Sequence, residues 1–180
     1  MKHLLLDRDG CLNRHSDSSY YITSANDITY FDDVKEFIVN MLDHKVRLSV
    51  VTNQQAIGLE LLSEEELLRM HEKLLRQVGI QLAGLPLYYC PHLADTCDCR
   101  KPLPGLLERA ISDAKTNKAD VVMIGDKESD YQAAQACGVA FIQLSRPEYQ
   151  VPTFVGPGRL AADLHGCVNI LSNEFGWELT

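Results

Sequence analysis

Two stretches of the chain end apolar runs in carboxylates. Residues 3 to 13 read HLLLDRDGCLN, which sets Asp7 and Asp9 two positions apart, and residues 121 to 127 read VVMIGDK, which sets Asp126 after a second run. Either ending alone suits a turn or a helix cap, since Asp-Gly pairs favour turns. Gathered at one edge of a sheet, the three carboxylates repel one another unless something compensates, and a hard divalent cation is the usual compensation. Mg²⁺ suits such a set: it takes one or two carboxylates, keeps several waters and completes its shell with a substrate phosphate.

A phosphate beside that cation defines a chemistry. A carboxylate that attacks phosphorus forms an aspartyl-phosphate, which water then hydrolyses, so that one hard step becomes two. Asp7 is the candidate nucleophile. A second acid must protonate the leaving oxygen and later deprotonate the water, and Asp9 fits because side chains at i and i+2 of an extended segment emerge on the same side. The run LSVV leads into Thr52, Asn53 and Gln54. The Thr52 hydroxyl can donate to a phosphate oxygen, assisted by the backbone N–H groups that follow, although a threonine there serves equally as a helix cap. Lys101, in CRKPLPG, offers positive charge against phosphoryl oxygens.

The segment CPHLADTCDC places Cys90, His92, Cys97 and Cys99 within ten residues. Four soft or borderline donors so close together fit a closed tetrahedral Zn²⁺ site, which leaves no open position and is therefore structural. Such a zinc would fold the loop that leads directly into Arg100 and Lys101, coupling metal binding to the placement of that cationic pair. His3, His44, His71 and His165 lack ligand-spaced partners and read as packing or surface residues. Cys11, Cys137 and Cys167 read as small buried side chains.

Strands are expected at HLLL (3 to 6), VRLSVV (46 to 51), LPLYY (85 to 89), VVMI (121 to 124) and VAFIQL (139 to 144). Helical periodicity lies between them. Residues 32 to 45 put Val34, Phe37, Ile38, Met41 and Leu42 on one face. A helix from Ser63 opens with a capping box to Glu66 and stops at Gly79. Pro104 suits the first turn of a helix carrying Leu107, Ala110, Ile111 and Ala114. Tyr131 to Cys137 reads as a short helix ended by Gly138, and the tail beyond Gly156, with Leu160, Leu164, Val168 and Leu171, as a packing helix. Alternating strands and helices imply a parallel sheet covered on both faces, a three-layer, Rossmann-like α/β fold whose ligands bind at the carboxyl ends of the strands. Residues 10 to 31 are too few for a separate cap domain, so the site should be open.

The chain has 180 residues, 46% hydrophobic and 23% charged, which suits one globular domain over residues 1 to 180. Seventeen basic against 25 acidic residues give a net charge of -8, which argues against non-specific binding to nucleic acid or anionic membranes but leaves room for a locally positive site. No segment approaches the roughly 20 apolar residues of a membrane span, and the N-terminal apolar run is too short for a signal peptide. A cytoplasmic monomer is the expectation.

Taken together, DRDG, VTNQ, RKP and IGDKESD resemble, in order and spacing across roughly residues 4 to 144, the four motifs of haloacid dehalogenase superfamily phosphatases. Within that superfamily the chain is similar to the small group that contains D-glycero-D-manno-heptose 1,7-bisphosphate phosphatases and histidinol-phosphate phosphatases. The resemblance implies Asp7 as nucleophile and Asp9 as acid/base. It implies Mg²⁺ on the Asp7 and Asp126 carboxylates and the Asp9 backbone carbonyl, phosphate held by Thr52, Asn53 and Lys101, and Arg100 facing the substrate beyond the phosphate. Relatives in the group carry a zinc loop like that at Cys90 to Cys99. In TNQQAIGLELLS, Gln55, Ala56, Leu59 and Glu60 stand where the heptose enzymes have a Ser-Gly pair and then an arginine. The short zinc loop looks closer to the histidinol-phosphate branch, and KPLPGLL closer to the heptose branch. Heptose bisphosphate is the leading expectation, with histidinol phosphate or another sugar phosphate as alternatives. A phospho-acceptor signalling domain would also use an Asp, a Thr, a Lys and Mg²⁺. Asp9 beside the acceptor, and an acceptor on the first strand, count against it.

Overall fold

A computed structural model describes residues 1 to 16, 20 to 149 and 151 to 179, with Pro157 by its backbone alone. Six strands form one parallel sheet: β1 (His3–Leu6), β2 (Arg47–Asn53), β3 (Leu87–Cys90), β4 (Val121–Gly125), β5 (Ala140–Leu144) and β6 (Leu160–Ala161), in the order β3-β2-β1-β4-β5-β6. The helices are α1 (Val34–Asp43), α2 (Gln55–Gly58), α3 (Glu64–Val78), α4 (Gly105–Ala114), α5 (Glu128–Cys137) and α6 (Leu164–Phe175).

Strand alternation divides the core. Leu4 and Leu6 of β1 face a cluster built with Phe37, Ile38 and Met41 of α1, Leu67 and Met70 of α3, and Leu164 and Leu171 of α6. Leu5 faces the opposite cluster, with Leu107 and Ala110 of α4 and Ala133 and Ala134 of α5. The strands are apolar on both faces because helices cover both. This is the expected three-layer sheet.

The strand order places a topological switch point at the central pair β1 and β4, where the chain first builds outward to one side and then to the other. Leu6 pairs with Val50 of β2 and Ile124 of β4, and the Asp7 N–H extends that ladder to the Ile124 carbonyl at 2.9 Å. Asp7 and Asp126 therefore leave neighbouring strands at the same edge.

Several boundaries differ from expectation. The α3 cap holds only in half: the Ser63 hydroxyl accepts from the Glu66 N–H at 3.1 Å, but the Glu66 carboxylate accepts from the Ala25 N–H at 2.6 Å and pairs with Arg69 instead. Pro104 sits at the N-cap of α4, one residue ahead of its first turn. The helix ended by Gly138 starts at Glu128, three residues earlier than its apolar pattern, because its first turn is polar. Leu160 belongs to β6, and α6 begins only at Leu164. Among the described residues, no helix is long and apolar enough to cross a membrane.

Candidate active site

The carboxyl edge of the sheet brings Asp7, Asp126 and Lys101 together, and adds Asp130. All four are at least 96% buried. Lys101 Nζ donates to Asp7 Oδ1 at 2.6 Å, to Asp130 Oδ1 at 2.6 Å and to the Val51 carbonyl at 2.9 Å. Asp130 lies in the first turn of α5, and its Oδ2 accepts from the Lys127 N–H at 3.1 Å. Two glycines make this packing possible. A Cβ on Gly125 would lie 2.6 Å from Asp130 Oδ2, and one on Gly10, whose φ is +96°, would collide with the Asp126 carboxylate.

The cluster holds more negative charge than Lys101 balances. Burial pushes the Asp7 carboxyl up to about 7 against the pull of Lys101, and the charges of Asp130 and Asp126 add to the rise. Asp126 Oδ1 is buried without a hydrogen-bond partner, while its Oδ2 lies 3.5 Å from His15 Nε2. An orphaned carboxylate oxygen beside a second, repelled carboxylate is the environment that a hard cation relieves. Asp7 and Asp126 thus fit Mg²⁺ as a donor set. The Cys11 thiol shares the cluster, but a soft sulfur donor ill suits Mg²⁺, which takes oxygen ligands.

Asp9 is held differently. The sheet ends before it, so strand alternation does not set its direction. Instead Arg8 reaches it through Nε at 3.2 Å and Nη2 at 3.0 Å, Asn13 Nδ2 donates at 2.9 Å, and Gln54 Nε2 donates at 2.8 Å. Burial raises the proton affinity of Asp9, but the Arg8 guanidinium and these hydrogen bonds outweigh it and hold the carboxyl down at about 2. Gln54 also donates from Nε2 to Thr52 Oγ1 at 2.9 Å and accepts from Arg8 Nη2 at 3.2 Å. The side chain of Asn53 is spent on the backbone of Lys101, donating to its carbonyl at 2.9 Å and accepting from its N–H at 3.0 Å. Asn53 therefore clamps the Lys101 loop to the end of β2.

A cleft of about 640 Å³ opens over this edge, lined among others by Asp9, His15, Tyr20, Gln55, Arg100 and Lys127. Arg100, expected to face substrate, lies in it with a buried, unpartnered Nη1. Beside the cleft, the four sulfur and nitrogen donors converge. Cys90 Sγ lies 3.5 Å from both His92 Nδ1 and Cys97 Sγ, and Cys99 Sγ lies 3.4 Å from His92 Nδ1 and 3.5 Å from Cys97 Sγ. With Zn–S bonds of about 2.3 Å, a tetrahedron has sulfur–sulfur edges of roughly 3.8 Å, so the set needs little adjustment to close on Zn²⁺.

Sequence reasoning missed Asp130, Gln54 and Arg8 as parts of the site. Asp130 had a signal, four residues after Asp126 in the first turn of a helix. Gln54 had none, because its contacts to Asp9 and Arg8 depend on which strands are neighbours; Arg8 stands next to Asp9 in the chain, but nothing in its type or spacing showed that its side chain turns back onto that neighbour.

A doubly wound sheet with a lysine-bridged carboxylate cluster at its switch point defines a phosphoryl-transfer class of site, and comparison with known proteins narrows the class. The HAD-hydrolase-like family model matches residues 98 to 153. A D-glycero-beta-D-manno-heptose-1,7-bisphosphate 7-phosphatase of Neisseria meningitidis serogroup A is 32% identical over 142 residues, 77% of this chain and 74% of that protein. The enzyme of the same name from Yersinia pestis is 32% identical over 171 residues, 89% of this chain and 87% of that one. The crystal structure of D,D-heptose 1,7-bisphosphate phosphatase from B. bronchiseptica, complexed with magnesium and phosphate, superposes with a TM-score of 0.81 at 27% identity, covering 97% of this chain and 99% of the other. The chain belongs to the haloacid dehalogenase-like phosphatases, in the group of the D-glycero-D-manno-heptose-1,7-bisphosphate 7-phosphatases, and is a phosphomonoesterase.

Proposed function

We propose that the chain hydrolyses the 7-phosphate of D-glycero-D-manno-heptose 1,7-bisphosphate through an aspartyl-phosphate on Asp7. The observation that carries the reading is the buried cluster of Asp7, Asp126 and Asp130 around Lys101 at the β1/β4 switch point. The substrate follows from the two curated relatives of that name.

Asp7 Oδ forms the new bond to phosphorus as the bond to the sugar oxygen breaks. Lys101, pinned by Asn53 and Asp130, aims Asp7 and opposes the rise in its proton affinity that burial imposes. Asp9 gives its proton to the departing oxygen and takes one from the water that cleaves the aspartyl-phosphate. In the resting site Arg8 holds Asp9 as the carboxylate, the form that activates water. The negative charge of an arriving phosphate raises its proton affinity for the first half-reaction. Thr52 supplies a hydroxyl to the phosphate, and Arg100 meets the substrate beyond it. The Asp7 and Asp126 carboxylates and the Asp9 carbonyl would hold Mg²⁺, which would supply charge neutralisation at the phosphoryl oxygens. Cys90, His92, Cys97 and Cys99 would hold a structural Zn²⁺ with no open coordination position. We infer one cytoplasmic domain over residues 1 to 180, and among the described residues no separate cap covers the cleft.

Phosphate release with Mg²⁺ from heptose 1,7-bisphosphate and from histidinol phosphate, side by side, tests the reading. A kcat/KM preference for the bisphosphate, lost in Asp7→Asn, supports it. A preference for histidinol phosphate refutes the substrate, and full activity of Asp7→Asn refutes the nucleophile.

A further inference from the structure

His15 stands against the carboxylate cluster, although none of the four motifs contains it. Its Nε2 lies 3.5 Å from Asp126 Oδ2, and a Cβ on Gly10 would lie 2.8 Å from a ring nitrogen, so the imidazole packs directly on the Gly10 turn. The two oxygens of Asp126 are therefore unlike. Oδ2 faces His15, while Oδ1 is buried with no hydrogen-bond partner and is the one left for a cation. In the tautomer that carries its proton on Nε2, His15 offers the carboxylate a donor. A partner on one oxygen of a ligating carboxylate fixes where the other points, and losing such a partner costs metal affinity.

The chain beyond β5 reaches back to hold His15 in place. The His15 N–H donates to the Tyr149 hydroxyl at 3.0 Å, and the two rings meet with centroids 4.6 Å apart. Tyr149 is braced edge-on by Phe31 at 6.3 Å. Nearby residues fasten the same two segments together. Arg14 pairs with Glu148 at 3.0 Å, an exposed contact of little worth by itself. Arg146 is buried and carries more: it donates to the Cys11 carbonyl at 2.9 Å, pairs with both oxygens of Asp33 and lies 3.8 Å from the centre of the Phe31 ring. The segment that presents His15 is thus tied to residues more than 110 positions away.

We propose that Tyr149 is a positioning residue for the metal site: through His15 it orients the Asp126 carboxylate, so that Mg²⁺ affinity is set in part from the end of β5. The proposal rests on the reading of Asp7 and Asp126 as Mg²⁺ donors. Neither His15 nor Tyr149 takes part in making or breaking a bond. Their effect falls on metal affinity and, through it, on turnover at limiting Mg²⁺.

The test compares the zinc-loaded protein as wild type, His15→Leu, His15→Gln, Tyr149→Phe, Tyr149→Leu and the double variant with leucine at both positions. Mn²⁺ is the probe, because its paramagnetic resonance signal distinguishes free from bound ion, and Mg²⁺ affinity is read by competition. His15→Leu should weaken both ions about 10-fold, the lower end of what loss of an outer partner costs. Tyr149→Leu should follow it in direction. Tyr149→Phe, which keeps the ring and loses only the hydroxyl, should show a smaller loss, and it decides the matter if the leucine variant does not fold. His15→Gln places an amide nitrogen near the position of Nε2 and should recover most of the affinity, which a role for the ring in packing alone would not allow. In the His15→Leu background, Tyr149→Leu should cost nothing more, since residues that act through one another are not additive. At saturating Mg²⁺, kcat for p-nitrophenyl phosphate should return close to the wild-type value in every variant.

Unchanged Mn²⁺ affinity in His15→Leu overturns the proposal. So does a Tyr149→Leu loss that persists undiminished in the His15→Leu background, because Tyr149 then acts by another route. A fall in kcat that saturating Mg²⁺ does not repair, with metal affinity intact, also overturns it and places His15 on the substrate. A wild type without a Mn²⁺ site that Mg²⁺ competes for fails at the earlier reading of Asp7 and Asp126 and takes this proposal with it. A wild-type site that is present but indifferent to substitution at 15 and 149 sinks this proposal alone.

Discussion

The N–H of Gln54 donates to the carbonyl of Cys90 at 2.7 Å. The residue that steadies Asp9 thus hangs from a candidate zinc ligand. On the other side of the loop, Cys99 is followed at once by Arg100 and Lys101, whose backbone is clamped by Asn53. The zinc loop therefore borders the site twice, through the acid/base and through the buried lysine.

Zinc removal should then loosen both. Stripping the metal with a chelator is expected to lower the melting temperature by roughly 5 °C, as for a ligand contributing about 2 kcal/mol to a domain of this size. kcat/KM should fall in parallel and return on adding Zn²⁺. Calorimetry paired with metal analysis checks this, and an unchanged melting temperature in fully zinc-free protein would refute the coupling.

Gln54 can be separated from the loop by its effect on proton transfer. With the amide gone in Gln54→Ala, Asp9 and the Thr52 hydroxyl each lose a partner. A misdirected general acid matters most for a poor leaving group, since acid catalysis contributes about 100-fold or more there. We expect kcat/KM for an alkyl phosphate to fall 10- to 100-fold, as an order-of-magnitude estimate, and that for p-nitrophenyl phosphate only a few-fold. Equal losses on both substrates would show a general structural defect instead.

Five of the six strands and the core faces of the long helices were legible, because apolar runs and 3.6-residue periodicity extend over enough residues to be counted. β6 was not: two residues, Leu160 and Ala161, carry no period, and they pair only because Gln143 and Leu144 offer an edge. The start of α5 was hidden for the opposite reason. Its first turn is Glu128, Ser129 and Asp130, polar throughout and held by the Lys127 to Asp130 bond rather than by an apolar stripe. At the site, residue types and motif order revealed Asp7, Asp126, Thr52 and Lys101, because each ends or follows a recognisable run. The direction of Asp9, the diversion of Asn53 to the Lys101 backbone and the Asp130 bridge depend on contacts spanning 29 to 48 residues, which the sheet order alone creates.

Lys101 should prove as important to folding as to turnover. In Lys101→Met two buried carboxylates, Asp7 and Asp130, lose their shared counter-charge. Removing one partner of a buried ion pair costs about 3 to 5 kcal/mol. The variant should therefore unfold at markedly lower denaturant in metal-free buffer, and Mg²⁺ should restore part of the loss by binding the native carboxylates. Equal denaturant midpoints for wild type and variant would contradict this counter-charge role.

His3 lies at the opposite edge of the sheet and gives a stability signal independent of catalysis. Its ring is fully buried, with Nδ1 2.9 Å from Thr116 Oγ1 and Nε2 3.0 Å from Ser49 Oγ, hydroxyls that satisfy either neutral tautomer. Burial, reinforced by the charge of Arg47, lowers its pKa from 6.5 to about 4. Between those values the unfolded chain binds a proton that the folded chain refuses. The stability that neutral His3 provides is thus complete above pH 6.5 and is lost as pH falls towards 4. The slope is at most about 1.4 kcal/mol per pH unit, or about 3 kcal/mol across the window. Asp7, raised to about 7, titrates with the opposite sign over much of the same range. The measurement is therefore the difference between wild type and His3→Gln, in which the Asp7 contribution cancels. Urea unfolding at pH 7, 6, 5 and 4.5 should show the wild-type advantage shrinking steadily with acid, and parallel curves would mean that His3 is charged in the fold or titrates as it does in the unfolded chain.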